Sequence, residues 1–354
     1  MKGVSKDFSK AKMVEFPRNV IAGHDVLPEV KNVCTNIHSG IVGTMVTGEN
    51  TYKAAGKDTI SYLDGYDVDV CYTGNATPEN IEEVERRVKE KGSTFILAVG
   101  GGSKIDIAKI VALDLNLPFI SIPTSAAHDG IASNRASIKS DMGSKSIEGA
   151  SPMGVIADTS VIFNASYRSL ASGCADVLSN ISALNDWKLA YNLRNESFSR
   201  SAYSFSQFAA ESMIDAADFI RPNLEESVWL AIKPIIISGI SMSLAHSSRP
   251  TSGSEHMISH TIDLKYPGRA MHGEQCGVAS IITLYLQKGD WEELKHSLVK
   301  IGAPTRASEL GLSDEEFISC VCEAHKIRTD RYTILGKGVK KEVVEEICVR
   351  TGVI

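Results

Sequence analysis

No apolar stretch in the sequence is read as reaching the roughly 18–20 residues that span a bilayer. The best run, IIISGISMSLA from Ile235, has the length of a buried core helix, so no membrane span is expected. The amino-terminal MKGVSKDFSKAKM has no apolar segment of the secretory kind. An excess of basic residues is missing too: 37 Lys and Arg against 43 Asp and Glu leave a formal net charge of -6. With no Lys/Arg patch interleaved with aromatics, neither a nucleic acid nor an anionic membrane is the expected partner. The seven cysteines show no zinc-finger spacing, and Cys320 and Cys322 make only a C-x-C. Reduced thiols in a cytoplasmic protein are therefore expected. Internal repeats and low-complexity tracts are absent.

What is present is the composition of an ordinary globular protein, 43% hydrophobic and 23% charged. The chain is long enough for two domains and a sizeable core. Its texture changes near residue 165. Before that point SGIVGTMVTG, DVDVCYTG, TFILAVG and PFISIPTS read as strands. Between them TYKAAGKDTISYL, TPENIEEVERRVKEKG and SKIDIAKIVALDLN read as helices. Thr77 is the expected N-cap of the second helix, with Pro78 in its first turn. This alternation predicts an α/β amino-terminal domain, a doubly wound, Rossmann-like parallel sheet over residues 1–165. Beyond it β signals nearly vanish, which predicts an all-α carboxy-terminal domain over 166–354.

Chemistry enters at FILAVGGGSKIDIAK, where a strand runs into Gly100, Gly101 and Gly102 and a helix begins at Ser103. Glycines admit φ > 0 and let backbone N–H groups approach an anion, and the helix N-terminus adds a positive dipole end. The spacing is neither G-x-G-x-x-G nor the P-loop pattern. A bare strand-to-helix turn would read the same way. The loop lies at the carboxyl end of a strand, however, where such sheets take ligands, and pyrophosphate binding is expected. Ile105, Ala108, Ala112 and Leu115 form the helix's apolar stripe. The next loop, in ISIPTSAAHDGIASNRASI, should leave the sheet at the same edge. Its hydroxyls (Ser121, Thr124, Ser125, Ser133) suit a cofactor's phosphate, ribose or amide. Asp129 adds a carboxylate, and Arg135 and Lys139 add positive charge. Polar loops often look like this, and a lone Asp in one is usually a turn residue.

Three of the nine histidines fall in SGSEHMISHTIDLKYPGRAMHGEQCG. A histidine is more often a satisfied surface or core residue than a ligand. On a helix, His256 and His260 lie one turn apart, while His272 sits in a Gly-bounded turn. In SGCADVLSNISALNDW, Asp176 and Asn180 are likewise one turn apart, although an Asp near a helix start usually serves the dipole. Together, one carboxylate and two imidazoles make a zinc-type catalytic set with a position left open. The same donors suit Fe(II), so ligand type alone does not fix the metal. Cys174 and Cys276 flank the set and are read as small core residues, with thiolate ligation as the rival.

In order and spacing, VGGGSKIDIAK, IPTSAAHDGIASNRASI, ADVLSN, SGSEHMISH and MHGEQCG resemble the sn-glycerol-1-phosphate dehydrogenases. These form a branch of the iron-containing alcohol dehydrogenase and glycerol dehydrogenase superfamily, which also holds 3-dehydroquinate synthase. The resemblance runs from FPRNVIAGHDVLPEV to the carboxy-terminal helices, and HDGIASNRASI is its most specific piece. It implies a homo-oligomeric enzyme that reduces dihydroxyacetone phosphate to sn-glycerol 1-phosphate for archaeal-type membrane lipids. It makes Asp176, His256 and His272 the zinc ligands, with Fe2+ and Ni2+ as alternatives. Asp129, Asp176 and His260 match substrate and catalytic positions. Gly101, Gly102, Ser103, Lys104, Ile105 and Asp106, with Thr124, Ser125, Ala126, Ala127 and Ser133, match the NAD(P) contacts. Iron-dependent relatives carry a further histidine one turn after the ligand Asp, where this chain has Asn180, and that departure favours zinc.

The implied mechanism has the nicotinamide deliver hydride to a ketone polarised by the metal, with His260 relaying a proton and Asp129 orienting the free hydroxyl. Arg135 and Lys139 are the nearby candidates for the substrate phosphate. At the adenosine end VTGENTYK places Gly48 where a 2′-phosphate would fit and Lys53 near it, while Glu49 pulls toward NADH. Use of both NADPH and NADH, with NADPH preferred, is expected. Glycerol dehydrogenase activity on the unphosphorylated substrate is the alternative. A lyase that uses the nucleotide transiently and a non-catalytic nucleotide sensor are the further rivals.

Overall fold

Phe95, Leu97 and Val99 turn to one face of a central strand while Ile96 and Ala98 turn to the other, and all five are fully buried. A strand apolar on both faces belongs inside a parallel sheet covered on both sides. The computed structural model describes residues 14–140 and 143–354, the side chains of 139–144 excepted. The stretch MKGVSKDFSKAKM and the side chain of Lys139 thus lie outside the described residues.

The sheet has six strands: β1 (Asn19–Gly23), β2 (Val42–Thr47), β3 (Asp67–Tyr72), β4 (Phe95–Gly100), β5 (Phe119–Pro123) and β8 (Gly154–Asp158). They lie in the order β1-β8-β5-β4-β2-β3, and every pairing is parallel. β6 (Arg135–Ser140) and β7 (Gly143–Glu148) form a separate antiparallel hairpin. Helix α1 (Val30–Asn36) and the helical segment α2 (residues 49–61) precede α3 (Pro78–Lys91) and α4 (Gly102–Leu115). α2 contains a π-turn at Tyr52–Gly56. Thr77 caps α3 by accepting from the Asn80 N–H at 3.4 Å, and Pro78 opens the helix, as the sequence predicts.

Past Asp158 the described chain is helical: α5 (Thr159–Phe163), α6 (Tyr167–Arg194), α7 (Arg200–Ala216), α8 (Glu225–Ala245), α9 (Ser254–Lys265), α10 (His272–Gln287), α11 (Trp291–Ile301), α12 (Asp314–Glu323) and α13 (Lys341–Thr351). One apolar core runs from the Ile96 and Ala98 face of the sheet into these helices, joining Val177, Ile232, Ile258 and Ile281.

Three expectations need correcting. β1, β8 and the β6–β7 hairpin were not read from the sequence; the hairpin's serines and lysines look like loop. α4 is buried nearly all round rather than along one stripe, with Asp106 and Lys109 inside and Leu115 only half-buried. The reason is that the hairpin covers its far side, where Lys109 Nζ donates to the Arg135 carbonyl at 2.6 Å. The apolar helix containing Ile235 is also longer than read. α8 has 21 residues, and an 18-residue window of it has a mean hydropathy of 1.7, enough by length and composition to cross a membrane. In this fold 61% of its apolar window is buried.

Candidate active site

Gly100 and Pro123 are level in the β4–β5 register, so the triglycine loop and the loop after β5 leave the sheet at one edge. The Thr124 N–H donates to the Gly100 carbonyl at 3.1 Å and ties them together. Gly101 is the N-cap of α4, with φ -80° and ψ -173°, a conformation open to any residue.

α6 crosses below this edge. Its Gly173 permits the approach, because a Cβ there would stand 2.0 Å from the Ala126 carbonyl oxygen. Asp176, one turn on, is 3% exposed. Its Oδ2 accepts the Asp129 N–H at 3.1 Å. Its Oδ1 is buried with no hydrogen-bond partner, which is costly for a polar atom. Facing that atom are the Nε2 atoms of His256 at 3.9 Å and His272 at 3.8 Å.

Both imidazoles are held from behind. His256 Nδ1 lies 2.9 Å from the buried Glu255 carboxylate, so Nδ1 carries the proton and Nε2 keeps its lone pair. For His272 the chain is longer. Gln275 Nε2 donates to Asp263 Oδ1 at 2.9 Å, which turns Gln275 Oε1 toward Ser259. The Ser259 hydroxyl donates to that oxygen at 2.7 Å, so His272 Nδ1 must donate to Ser259 Oγ, at 3.0 Å. Two lone pairs and a partnerless carboxylate oxygen converge, each imidazole oriented by its other nitrogen, as in metal-ligating histidines. Cys276 Sγ, 3.7 Å from His272 Nε2, completes a group whose four ligand atoms lie within 4.8 Å of one another. The donor set fits a divalent cation such as zinc. Cys174 is buried in the core and is not part of that group.

The electrostatics agree with a site built for a cation. Burial pushes the Asp129 and Asp176 carboxyls up, each to about 7, and for Asp129 the neighbouring Asp176 adds to the effect. Burial drives the His256 imidazole well below its ordinary value. His260 falls to about 3 through burial, then the charges of His272, His256, Arg328 and Arg331. It stands one turn beyond His256, with ring centroids 6.3 Å apart, and its Nδ1 is buried and unpartnered.

A cleft of about 550 Å³ joins this cluster to the sheet edge. Among the residues read from the sequence it is lined by Gly102, Ser103, Asp106, Ala127, Asp129, Ser133 and Arg135 and by Asp176, His256, His260 and His272. Gly101, Lys104, Ile105, Thr124, Ser125 and Ala126 lie outside its lining. Ile105 is in the core, and its N–H goes to the Gly101 carbonyl. Asp106 pairs with the fully buried Lys109 at 3.1 Å, and Lys109 also donates to Ser133 Oγ at 3.2 Å. Lys104 bonds the Gly74 carbonyl, and a Cβ at Gly48 would meet its Cε at 3.1 Å. Lys104 is thus the cation beside Gly48, whereas Lys53 and Glu49 are exposed.

Two participants, Ser238 and His128, are not read from the sequence. Asn180 donates to Ser238 Oγ at 2.8 Å, and Ser238 donates to Asp129 Oδ2 at 2.8 Å, so Asn180 orients Asp129 and stands outside the metal-capable group. His128 Nδ1 accepts the Gly130 N–H at 2.9 Å, which leaves Nε2–H to face Gly102 and the cleft. Its place beside Asp129 in HDGIAS was the available signal.

A nucleotide-type sheet edge facing a carboxylate–imidazole cluster across a helical half is the build of the iron-containing alcohol dehydrogenases. A family model of that description matches residues 21–166. Glycerol dehydrogenase of Schizosaccharomyces pombe superposes with a TM-score of 0.80 at 18% identity, over 97% of this chain and 91% of that one. Sulfoacetaldehyde reductase of Bifidobacterium kashiwanohense gives 0.76 at 17% identity, over 96% and 98%. At this identity the likeness is one of fold. Two relatives named glycerol-1-phosphate dehydrogenase (NAD(P)+) are much nearer in sequence. That of Picrophilus torridus is 47% identical over 98% of this chain and 100% of its own. That of Methanosarcina acetivorans is 44% identical over 98% of each. The chain belongs to the glycerol-1-phosphate dehydrogenase family.

Proposed function

We propose that this protein reduces dihydroxyacetone phosphate to sn-glycerol 1-phosphate with NADPH or NADH, supplying the backbone of archaeal-type membrane phospholipids. The observation that carries the reading is the pair of Nε2 lone pairs turned on the partnerless Asp176 Oδ1, in a cleft shared with the triglycine edge. Asp176, His256 and His272 would hold zinc, with Cys276 a further donor in reach. When bound, the metal supplies Lewis-acid polarisation of the ketone oxygen. The nicotinamide supplies the hydride.

The chain's own residues do the rest. Glu255 and Ser259 fix the two imidazoles. Asp129, aimed by Ser238 and Asn180, orients the substrate's free hydroxyl. His260, a neutral imidazole on the cleft wall, passes a proton to the product oxygen. The backbone at Gly101, Gly102 and Ser103, at the N-terminus of α4, holds the pyrophosphate.

The division into a nucleotide half, 1–165, and a metal-binding half, 166–354, belongs to this proposal. So does a cytoplasmic setting, supported by seven free thiols. A homo-oligomer belongs to it as well, and the exposed Phe205 and Phe208 on α7 offer an apolar face for such a contact. The test follows NADPH oxidation with dihydroxyacetone phosphate and with dihydroxyacetone. A much higher kcat/KM for the phosphorylated ketone is expected; equal rates, or preference for dihydroxyacetone, would favour glycerol dehydrogenase chemistry.

A further inference from the structure

The far end of the cleft, beyond His260, is walled by the loop from α8 to α9, with Ser248, Thr251 and Ser252, and by Arg328. Behind the loop stands Arg331. Its Nη2 donates to Ser248 Oγ at 2.7 Å, and its Nη1 donates to the Ser252 carbonyl at 2.9 Å and to Ser252 Oγ at 3.3 Å. Arg249 on the same loop is neutralised by Glu196. For Arg331, no carboxylate lies within 4.0 Å among the described residues. Burial pulls it down to about 9, and the charges of Arg328 and Arg249 act in the same direction, only partly opposed by the more distant Asp330 and Glu196.

A guanidinium kept inside a protein without an acid is costly unless something anionic meets its field. Two features here suit an anion. Each serine hydroxyl accepts from Arg331, so each keeps its own proton to donate outward. Arg328 lines the cleft and pairs with Asp330 at two points, Nε to Oδ1 at 3.0 Å and Nη2 to Oδ2 at 2.9 Å, which leaves its Nη1 without a partner among the described residues. Asp263, the acid on this stretch of wall, has Oδ1 occupied by Gln275. Arg135 faces from the hairpin wall, with its Nη2 given to the Ser146 carbonyl at 3.1 Å.

We infer that Ser248, Ser252 and Arg328 form the seat for the phosphoryl group of the substrate, with Arg331 as the fixed countercharge behind the serines. The ligand class is a phosphomonoester dianion on a three-carbon ketone. The inference rests on the reading that the substrate is a triose phosphate, and it moves the phosphate from Arg135 and Lys139 to Ser248, Ser252 and Arg328. A flexible ammonium would not serve as well, because the fork of Arg331 spans two hydroxyls at once.

The test compares kcat/KM for dihydroxyacetone phosphate and dihydroxyacetone in wild type, Arg328→Met, the double variant Ser248→Ala/Ser252→Ala, and Arg135→Met. Metal content and NADPH binding of each variant establish that the fold is kept. Arg331 is buried, so the more exposed Arg328 and the serines carry the test. Losing one charge-assisted hydrogen bond should lower the phosphorylated-to-unphosphorylated ratio about 10- to 100-fold in Arg328→Met. Phosphite added with dihydroxyacetone should stimulate turnover by the wild type and much less by Arg328→Met. Equal losses on both substrates would overturn the inference, as would a ratio that falls only in Arg135→Met. If the wild type reduces dihydroxyacetone phosphate but these variants keep its ratio, the seat alone fails. A wild type inert toward that substrate overturns the functional reading and the seat together.

Discussion

The N–H of Asp129 donates to Oδ2 of Asp176 across 3.1 Å, joining a loop of the sheet edge to the helix that bears the cation-facing carboxylate, 47 residues away in sequence. One oxygen of Asp176 is thereby committed to the loop after β5, and the other is left facing His256 and His272. The sheet-edge loop and the carboxylate–imidazole cluster thus share this side chain.

Metal occupancy follows from that geometry. Asp176→Ala and His256→Ala should each lose bound metal, measured by elemental analysis, while NADPH binding is retained. Glu255→Gln should weaken retention without abolishing it, because the amide still reaches His256 Nδ1 but no longer fixes its protonation; loss of an outer partner typically costs about 10- to 100-fold in metal affinity. Full occupancy in both alanine variants would show that these side chains are not ligands.

At the nucleotide edge Gly102 is the sensitive glycine. A Cβ on it would stand 2.0 Å from His128 Nε2, whereas one on Gly101 meets only Ser125 Oγ at 3.3 Å. Gly102→Val should weaken NADH and NADPH binding together and by more than Gly101→Val does. Titration of both variants with both nucleotides checks the order, and the reverse order would place the pyrophosphate elsewhere.

His128 should act as a neutral donor. Burial pulls its imidazole down to about 4, so the folded protein takes up this proton less readily than the unfolded chain, whose value is about 6.5. The stability it contributes is present above about 6.5 and is lost as pH falls toward 4. Between pH 8 and 6 nucleotide affinity should therefore show no gain that depends on His128. Binding curves of wild type and His128→Gln over that range test this; a gain at pH 6 present only in the wild type would mean that the ring is charged.

Cofactor preference should be set at Gly48. A carboxylate there would point at Lys104 and at the space a 2′-phosphate needs. Gly48→Asp should shift the NADPH-to-NADH ratio of kcat/KM toward NADH by about tenfold or more, the worth of one lost charged contact. Glu49→Ala should move the ratio toward NADPH. An unchanged ratio in both variants would put the adenosine end at another strand.

The sequence made the sheet edge legible because its signals are local. The triglycine run, Thr77 with Pro78, and the one-turn spacing of His256 and His260 all read directly. The metal-capable group was legible as residue types, and the 3.7 Å approach of Cys276 Sγ to His272 Nε2 favours the thiolate reading over that of a mere core residue. The Asn180–Ser238–Asp129 relay, the tautomer set by Gln275 and Ser259, and the pair of serines on Arg331 join positions 13 to 109 residues apart. No local pattern encodes such contacts. β1 and β8 were missed because five-residue apolar runs are ambiguous without partners, and the hairpin because Lys109 and Asp106, rather than apolar periodicity, pin it to α4.

The central claim is that the Asp176–His256–His272 cluster, loaded with a divalent metal, makes this cleft a reductase of dihydroxyacetone phosphate. The most direct measurement strips the protein with a chelator, removes the chelator, and follows NADPH oxidation with dihydroxyacetone phosphate before and after zinc is returned. The account predicts loss of turnover on stripping, with NADPH still bound, and recovery with about one zinc per subunit, as expected for a three-ligand site. Undiminished turnover in protein shown to be metal-free would contradict it.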